Sequence, residues 1–154
     1  MNLRQARNED VASIRGLVDA AYAPYVRRIG RAPAPMTSDY AALVAAGETW
    51  VGVAEERVVG VLVIRPAAGS LQLENVAVEP ASQGLGYGRA LIAFAEQRAR
   101  ELGLPAVTLY TNEAMVENLC LYPRLGFVET ERRVEDGYRR MFFRKALDAR
   151  ELPR

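Results

Sequence analysis

Seven residues in the middle of the chain organise the rest: Gln83-Gly84-Leu85-Gly86-Tyr87-Gly88-Arg89. Their three glycines leave the backbone without Cβ atoms, so it can adopt positive φ and let a ligand approach its N–H groups. A helix is predicted directly afterwards, because apolar residues recur on one helical face and Gly103 provides a stop. These apolar residues are Leu91, Ile92, Ala95, Ala99 and Leu102. A glycine loop that leads into a helix N-terminus predicts an anion-binding site.

The charges around the loop narrow the choice of anion. No acidic residue occurs between Pro80 and Phe94, and Arg89 falls in the first helical turn. The helix macrodipole disfavours a cation there, and a bound phosphate would remove that conflict. A Walker loop would end in Gly-Lys-Ser/Thr, which is absent, and the motif GxGxxG would need glycine in place of Arg89. Neither nucleotide motif fits this loop.

The pattern Gln-x-x-Gly-x-Gly, placed after the apolar residues 71–78, resembles the pyrophosphate-binding motif of the GCN5-related N-acetyltransferases. The resemblance extends over almost the whole chain. It implies one α/β domain over residues 1–154, with a mixed, mainly antiparallel central sheet, about four flanking helices and a bulged, splayed central strand. It also implies acetyl-CoA as the cofactor and suggests a homodimer.

Composition sets limits that do not depend on this resemblance. The chain has 154 residues, half of them hydrophobic, which is enough for one ordinary core. Its net charge of +1 predicts no nucleic-acid or membrane partner. Zero histidines exclude Ser-His-Asp and Cys-His catalysis and argue against a metal site. Met1 is followed by no apolar targeting segment, so we expect a soluble cytoplasmic protein.

The N-terminal third is predicted to be helical after an edge strand at residues 2–6. A first helix should run from Asn8 to about Pro24, because apolar residues follow helical spacing there. Residues 25–36 should form an irregular loop, either a solvated connector or a lid that faces a substrate. Thr37 or Ser38 should then cap a short helix.

From residue 49 onward the apolar period is two, which predicts strands. Leu71 and Leu73 share one face of their strand, whereas Val76 and Val78 lie on the other. Either the strand is buried on both faces or a β-bulge lies at residues 74–75. The family resemblance favours the bulge. The predicted C-terminal elements are hairpin strands 49–54 and 58–64, strand 106–111, helix 113–122, and hairpin strands 127–134 and 138–144.

Acetyl transfer to an amine requires a holder for the carrier, donors for the carbonyl oxygen, a base and an acid. The loop residues Gln83, Gly84, Leu85, Gly86, Tyr87, Gly88 and Arg89 are the candidates for the carrier's phosphates. The pantetheine arm carries amides, so it could pair with the strand backbone of Val76, Ala77 and Val78. A backbone N–H near Val76 would then face the thioester oxygen.

Glu74 is the candidate base, acting directly or through water. A glutamate within an apolar strand is costly to bury, so its position requires a reason. The alternatives are a solvated sheet edge and an ion pair with an arginine. Its neighbour Asn75 is a candidate for hydrogen bonding to the substrate.

A second motif is Asn118, then Tyr122 four residues later, then Gly126-Phe127. Four residues place the first two side chains on one helix face. By resemblance to the family, Asn118 contacts the pantetheine and Tyr122 protonates the departing sulfur. A tyrosine on a helix is otherwise usually part of the core.

Other residues are candidates for the acceptor side. Tyr25, Met36, Tyr110 and Thr111 could line it, although aromatic residues at these spacings are more often core. Three arginines in the 25–36 segment suggest an acceptor that carries a carboxylate or phosphate: Arg27, Arg28 and Arg31. With no histidine present, Cys120 is expected to be a small buried residue rather than a nucleophile.

The sequence thus favours an N-acetyltransferase that moves an acetyl group from acetyl-CoA directly to a primary amine, most simply a small molecule. Acetylation of a protein N-terminus or lysine remains an alternative. So does a non-catalytic acyl-CoA-binding regulator, and so does a nucleotide-binding module unrelated to CoA.

Overall fold

The computed structural model describes residues 1–148. These residues form seven strands and four α-helices. In chain order the elements are β1 (Asn2–Gln5), α1 (Val11–Ile29), α2 (Tyr40–Ala45), β2 (Thr49–Ala54), β3 (Arg57–Ala67), β4 (Ser70–Val78), α3 (Tyr87–Glu101), β5 (Ala106–Asn112), α4 (Val116–Arg124), β6 (Val128–Glu135) and β7 (Tyr138–Ala146). None of these helices is long and apolar enough to cross a membrane.

The seven strands form one sheet in the order β1-β2-β3-β4-β5-β7-β6. Only β4 and β5 run parallel, and every other neighbouring pair is antiparallel. The crossover that a parallel pair requires is α3, which carries the chain from the end of β4 to the start of β5. The prediction of a mixed, mainly antiparallel α/β sheet is confirmed.

Helices cover both faces of the sheet and divide the core in two. On one face, Leu91, Ile92 and Ala95 of α3 pack against Leu62 and Leu71 of the sheet. On the other face, residues of α1 and α2 pack against sheet residues, and the buried members include Ile14, Val18, Tyr40, Val61 and Val63. Leu102, predicted on the buried face of α3, is 46% exposed because the helix already ends at Glu101.

A β-bulge lies in β4, as the phase slip in the sequence suggested. Val63 pairs with Asn75, but the next residue, Ile64, pairs with Leu73, so Glu74 has no partner across the ladder. The extra residue reverses the alternation of side chains. Before the bulge the odd-numbered residues Leu71 and Leu73 face α3. After it the odd-numbered residues Asn75 and Ala77 face α1 instead.

Helix α1 is longer than predicted. It continues past Pro24 to Ile29 and ends at Gly30, whose φ is 88°. Proline removes one backbone donor but its φ suits a helix, so the turn continues where other contacts hold it. Tyr25 contacts the Tyr22 ring, and Arg28 pairs with Glu117 of α4. The predicted irregular segment is therefore shorter, and it includes a single 3-10 turn at Ala34–Thr37.

Two other local predictions need correction. Asp39 caps α2, because its carboxylate accepts a hydrogen bond from the Ala42 N–H at 3.1 Å. Thr37 instead donates its hydroxyl to the Ala34 carbonyl at 2.9 Å, within the 3-10 turn. Cys120 is exposed, not buried, because it lies on the outer side of α4.

Candidate active site

The parallel strands β4 and β5 pair only over a short length and then separate. Their ladder covers Leu71–Leu73 on β4, although β4 continues to Val78 and β5 to Asn112. A pocket of about 340 Å³ opens where the strands diverge. The bulge at Glu74 coincides with the last paired residues, so it marks the point where the sheet splits.

One wall of the pocket consists mainly of backbone. Glu79 donates its N–H to the Val59 carbonyl of β3, so alternation along β4 directs the N–H and C=O of Val76 and Val78 away from β3. Two side-chain contacts agree with this direction. Tyr22 donates to the Val76 carbonyl and Gln83 donates to the Val78 carbonyl, each at 3.3 Å. We call residues 76–78 and 83–89 the backbone wall.

The glycine loop continues this wall. Gly84 and Gly86 have φ of 84° and 83°, a conformation that disfavours any residue with a Cβ atom. Gly86 is the N-cap of α3, so the N–H groups of the first helical turn point outward without partners in the helix. No acidic residue occupies that turn, and Arg89 is exposed within it. These features suit the phosphates of a bound ligand.

The pocket reaches only part of the predicted loop. Gln83 and Gly88 line it, together with Val76, Ala77 and Val78. The remaining loop residues lie outside the lining, toward solvent: Gly84, Leu85, Gly86, Tyr87 and Arg89. An extended ligand could therefore place its phosphates at the loop and its other end inside the pocket.

Glu74 lies at the split in the sheet and lines the pocket. Its carboxylate is 3.6 Å from the Arg65 guanidinium, and its side chain is 30% exposed. Arg65 is held more closely by Glu48, at 2.6 Å. The carboxylate therefore remains accessible to a group in the pocket.

Asn75 is bound on both sides by protein. Its Oδ1 accepts from the Tyr22 hydroxyl at 2.6 Å, and its Nδ2 donates to the Tyr40 hydroxyl at 3.0 Å. The Tyr40 hydroxyl in turn donates to the Pro35 carbonyl at 2.6 Å. This chain joins β4 to α1, α2 and the 3-10 turn, so the Asn75 amide is already used by the fold.

Tyr122 projects from α4 into the pocket and is 5% exposed. Its ring lies 5.7 Å from the Phe127 ring and 5.8 Å from the Phe143 ring. Within residues 1–148, its hydroxyl makes no hydrogen bond. Burial raises the pKa of Tyr122 to about 12, so the group keeps its proton at neutral pH. The hydroxyl oxygen is not fully enclosed, so it opens to the pocket and is available to a ligand atom.

Asn118 lies one turn before Tyr122 on α4 and also lines the pocket. Its Nδ2 donates to the Thr111 hydroxyl at 3.1 Å. Thr111, at the end of β5, directs its own hydroxyl to the Met115 sulfur at 3.7 Å. Asn118 and Thr111 thus fix the start of α4 against the end of β5, which positions Tyr122.

The opposite wall of the pocket consists of side chains. Tyr25 and Tyr110 line it, whereas Met36 packs against the core under α1 and lies outside the pocket lining. The two lining residues of β7, Tyr138 and Arg140, were missed in the sequence. The available signal was the alternation of Tyr138, Arg140 and Phe142, which places an arginine between two aromatic residues on one face of the predicted strand. We call Tyr25, Glu74, Tyr110, Tyr138 and Arg140 the side-chain wall.

The arginines that suggested an anionic acceptor have other roles. Arg28 forms an ion pair with Glu117 at 2.7 Å. Arg31 stacks on the Tyr138 ring, 3.5 Å from its centroid, and donates to the Asp136 carbonyl. Arg27 is exposed. These contacts fasten the segment after α1 to α4 and to the β6–β7 turn, and none of the three arginines lines the pocket.

Comparison with known proteins identifies this arrangement. The model of the acetyltransferase (GNAT) family matches residues 14–127, which include the bulge, the glycine loop and Tyr122. The chain belongs to this family. The sequence-based recognition of a GNAT protein is confirmed, and the chain is a member of a family of acetyltransferase enzymes.

Proteins named as acetyltransferases are similar to parts of the chain. Over 52 residues it is 48% identical to a mycothiol acetyltransferase of Thermomonospora curvata, covering 34% of this chain and 18% of that protein. Over 82 residues it is 28% identical to the uncharacterized N-acetyltransferase YvbK of Bacillus subtilis, covering 53% of each. The chain thus spans about half or less of the length of these curated relatives.

The fold agrees with solved GNAT structures over nearly the whole chain. The paia N-acetyltransferase of Thermoplasma acidophilum, solved in complex with coenzyme A, superposes with a TM-score of 0.78. The superposition covers 95% of this chain and 98% of that one, at 14% sequence identity. At that identity the similarity establishes the fold alone.

Proposed function

We propose that this GNAT protein transfers an acetyl group from acetyl-CoA directly to the primary amine of a small molecule. One observation carries the proposal. The split between β4 and β5 places an unpaired strand edge and a buried, protonated tyrosine in one pocket, and a glycine loop at a helix N-terminus lies at the edge of that pocket. Acetyl-CoA would supply the acetyl group and a thiolate leaving group.

The backbone wall has the groups to hold such a carrier. The N–H groups at the start of α3 would bind phosphate oxygens, and Arg89 would neutralise part of their charge. The outward-facing N–H of Val78 would pair with an amide of the pantetheine arm, and the Val76 and Val78 carbonyls could accept from that arm beside their long contacts with Tyr22 and Gln83. The Val76 N–H would also be a donor for a carbonyl oxygen, a role worth roughly 3 kcal/mol in other enzymes.

Glu74 and Tyr122 would handle the protons. Glu74 would accept a proton from the acceptor's ammonium group, either directly or through water, which leaves the amine free to react. Tyr122 would hold a proton that the departing sulfur can take. No residue of the pocket is required as a covalent carrier.

A small-molecule acceptor is supported by the way the pocket is bounded. Arg28 on α1 pairs with Glu117 on α4, and Tyr138 donates its hydroxyl to the Ala32 carbonyl at 2.6 Å. These contacts fasten the segment after α1 across the side-chain wall. A polypeptide acceptor would have to displace them. The partial similarity to proteins named mycothiol acetyltransferase also favours a small acceptor.

The test is thiol release from acetyl-CoA by the purified protein with amino acids, polyamines, aminoglycosides and short peptides. Turnover with one class of small amine supports the proposal, and it should fall about 100-fold in Glu74→Gln. Glu101→Gln, a change on the exposed end of α3, is the matched control and should keep full activity. Turnover with peptides alone would favour a protein acceptor. Thermal stabilisation by CoA without thiol release from any amine would favour the non-catalytic regulator.

A further inference from the structure

The side-chain wall contains a buried arginine that the reaction outlined above does not use. Arg140 lies on β7, its side chain is 9% exposed, and it lines the pocket. Its Nη1 donates to the Glu135 carboxylate at 2.6 Å. A guanidinium carries five N–H donors. Within residues 1–148, only the Glu135 contact provides Arg140 with a hydrogen-bond acceptor.

Aromatic rings hold the guanidinium in position. It lies 4.3 Å from the centroid of the Tyr110 ring and 5.3 Å from that of Tyr138. Rings bind the face of a guanidinium and leave its N–H edge directed elsewhere. Glu135 is shared, since Arg133 also contacts its other oxygen at 2.7 Å. The planar donor edge of Arg140 is therefore only partly used by the protein.

The charges that line the pocket form a complementary pair. Glu74 is its single carboxylate and Arg140 its single guanidinium among the described lining residues. The charges of Glu74 and Arg140 both act on Tyr110. Burial raises the pKa of Tyr110, the Arg140 charge opposes that rise, and the Glu74 charge adds to it. A negative and a positive group thus flank one tyrosine inside the pocket.

We infer that the acceptor is a small amine that also carries a carboxylate, as an amino acid does, and that Arg140 binds this carboxylate. The inference rests on the proposed acetyl transfer. The acceptor's amine would lie toward Glu74 and its carboxylate toward Arg140. A carboxylate matches the two parallel donors of a guanidinium edge, and this geometry gives arginine its preference for bidentate carboxylate partners. Arg140 is a substrate-binding residue, and Glu135 competes with the substrate carboxylate for its donors.

The experiment compares each amino acid with its primary amide, which keeps the amine and removes the negative charge. The kcat/KM ratio of acid to amide is measured in the wild type and in Arg140→Gln. Differences in amine reactivity cancel when the two ratios are compared. The wild type should prefer the acid by about 10- to 100-fold, and the ratio should fall to about 1 in Arg140→Gln. Arg139→Gln changes the exposed neighbouring arginine and should keep the wild-type ratio.

Two other variants protect the result against misfolding. Arg140→Lys keeps the charge but loses the planar fork, so it should retain only part of the preference. Glu135→Gln removes the partly exposed partner of Arg140 and should keep or increase the preference. If the Arg140–Glu135 pair were only structural, both variants would lose thermal stability to a similar extent. Arg140→Lys would then keep the wild-type ratio, which would contradict the proposal.

The outcomes separate this inference from the proposed function. Acetylation of amines with an acid-to-amide ratio near 1, or with a ratio unchanged in Arg140→Gln, overturns the role of Arg140 and leaves acetyl transfer intact. Absence of thiol release with every amine overturns the proposed function. Calorimetric titration of the same acids and amides into the CoA-saturated protein then decides the inference without turnover. Equal binding of acid and amide by the wild type overturns it.

Discussion

The backbone wall of the pocket offers peptide groups, whereas the side-chain wall facing it offers tyrosines, a carboxylate and a guanidinium. Peptide groups are the same in every residue, so the backbone wall depends on conformation: positive φ at Gly84 and Gly86 and a free edge on β4. The side-chain wall depends on residue identity. This difference matches the chemistry proposed for each wall, because a carrier is common to a family and an acceptor is particular to one protein. Single substitutions should therefore affect the two walls differently.

The largest effect is expected from a substitution of Tyr122, which lines the pocket that the two walls enclose. Tyr122→Phe keeps the ring contacts with Phe127 and Phe143 and removes the hydroxyl. We expect kcat to fall at least about 100-fold, the range typical of a lost general acid. Thermal stabilisation by CoA should be unchanged, since the backbone wall is intact. A small change in kcat with weakened CoA binding would instead make the hydroxyl part of the carrier site.

A substitution at Asn75 tests whether this polar residue of the pocket lining supports the fold or binds the substrate. Asn75→Ala removes hydrogen bonds to the hydroxyls of Tyr22 and Tyr40. We expect the free energy of unfolding to fall by about 2 kcal/mol, measured in urea. Asn2→Ala, on the exposed edge strand, should change it by less than about 0.5 kcal/mol. Unchanged stability with a raised KM for the acceptor would return Asn75 to substrate binding.

Alkaline pH should destabilise the protein through its buried tyrosines. Burial raises the pKa of Tyr122 and of Tyr40 to about 12 from an ordinary value of 10.0. Between these values the folded protein retains protons that the unfolded chain has lost, so stability falls as pH rises. We expect a decline that begins near pH 10 and reaches about 4 kcal/mol at pH 11.5, about half of it from each tyrosine. Urea unfolding at pH 9 to 11.5 measures it, and a slope as steep in Tyr122→Phe as in the wild type would contradict this assignment.

The smallest effect should come from one substitution made at two glycines. Gly86→Ala places a Cβ atom at φ 83° and should destabilise the protein by about 1 kcal/mol and weaken CoA binding. Gly16 lies exposed within α1, and no heavy atom lies within 4 Å of the position that a Cβ atom would take, so Gly16→Ala should stabilise by about 0.5 to 1 kcal/mol. Urea unfolding checks both signs. Equal effects at the two sites would show that the loop conformation is not required.

The backbone wall could be predicted from the sequence because it leaves local signals. Three glycines before a helical pattern indicated the loop, and the change of apolar parity between Leu73 and Val76 indicated the bulge. Both signals span few residues and depend on the local backbone. They needed no knowledge of which strands meet in space.

The side-chain wall was predicted only in part because it is assembled from distant segments. Arg140 is separated from Tyr25 by most of the chain, and β7 reaches the pocket only because it lies beside β5 in the sheet. No local pattern encodes that neighbourhood. The anionic-acceptor hypothesis was attached to Arg27, Arg28 and Arg31 because they are close in sequence to the first helix. Tertiary contacts overrode other local rules as well, since α1 continues through Pro24 and Asn75 is bound by two tyrosines.

The bulge at Glu74 has a consequence for how the length of β4 can vary. Every side chain after it points to the face opposite to the one that regular alternation through Glu74 would give. Deleting Glu74 would restore regular pairing with β3 and would leave Asn75 toward α1 and Val76 toward α3. The bulge therefore adds one residue to β4, and with it the carboxylate of the pocket, without changing which faces the flanking side chains occupy.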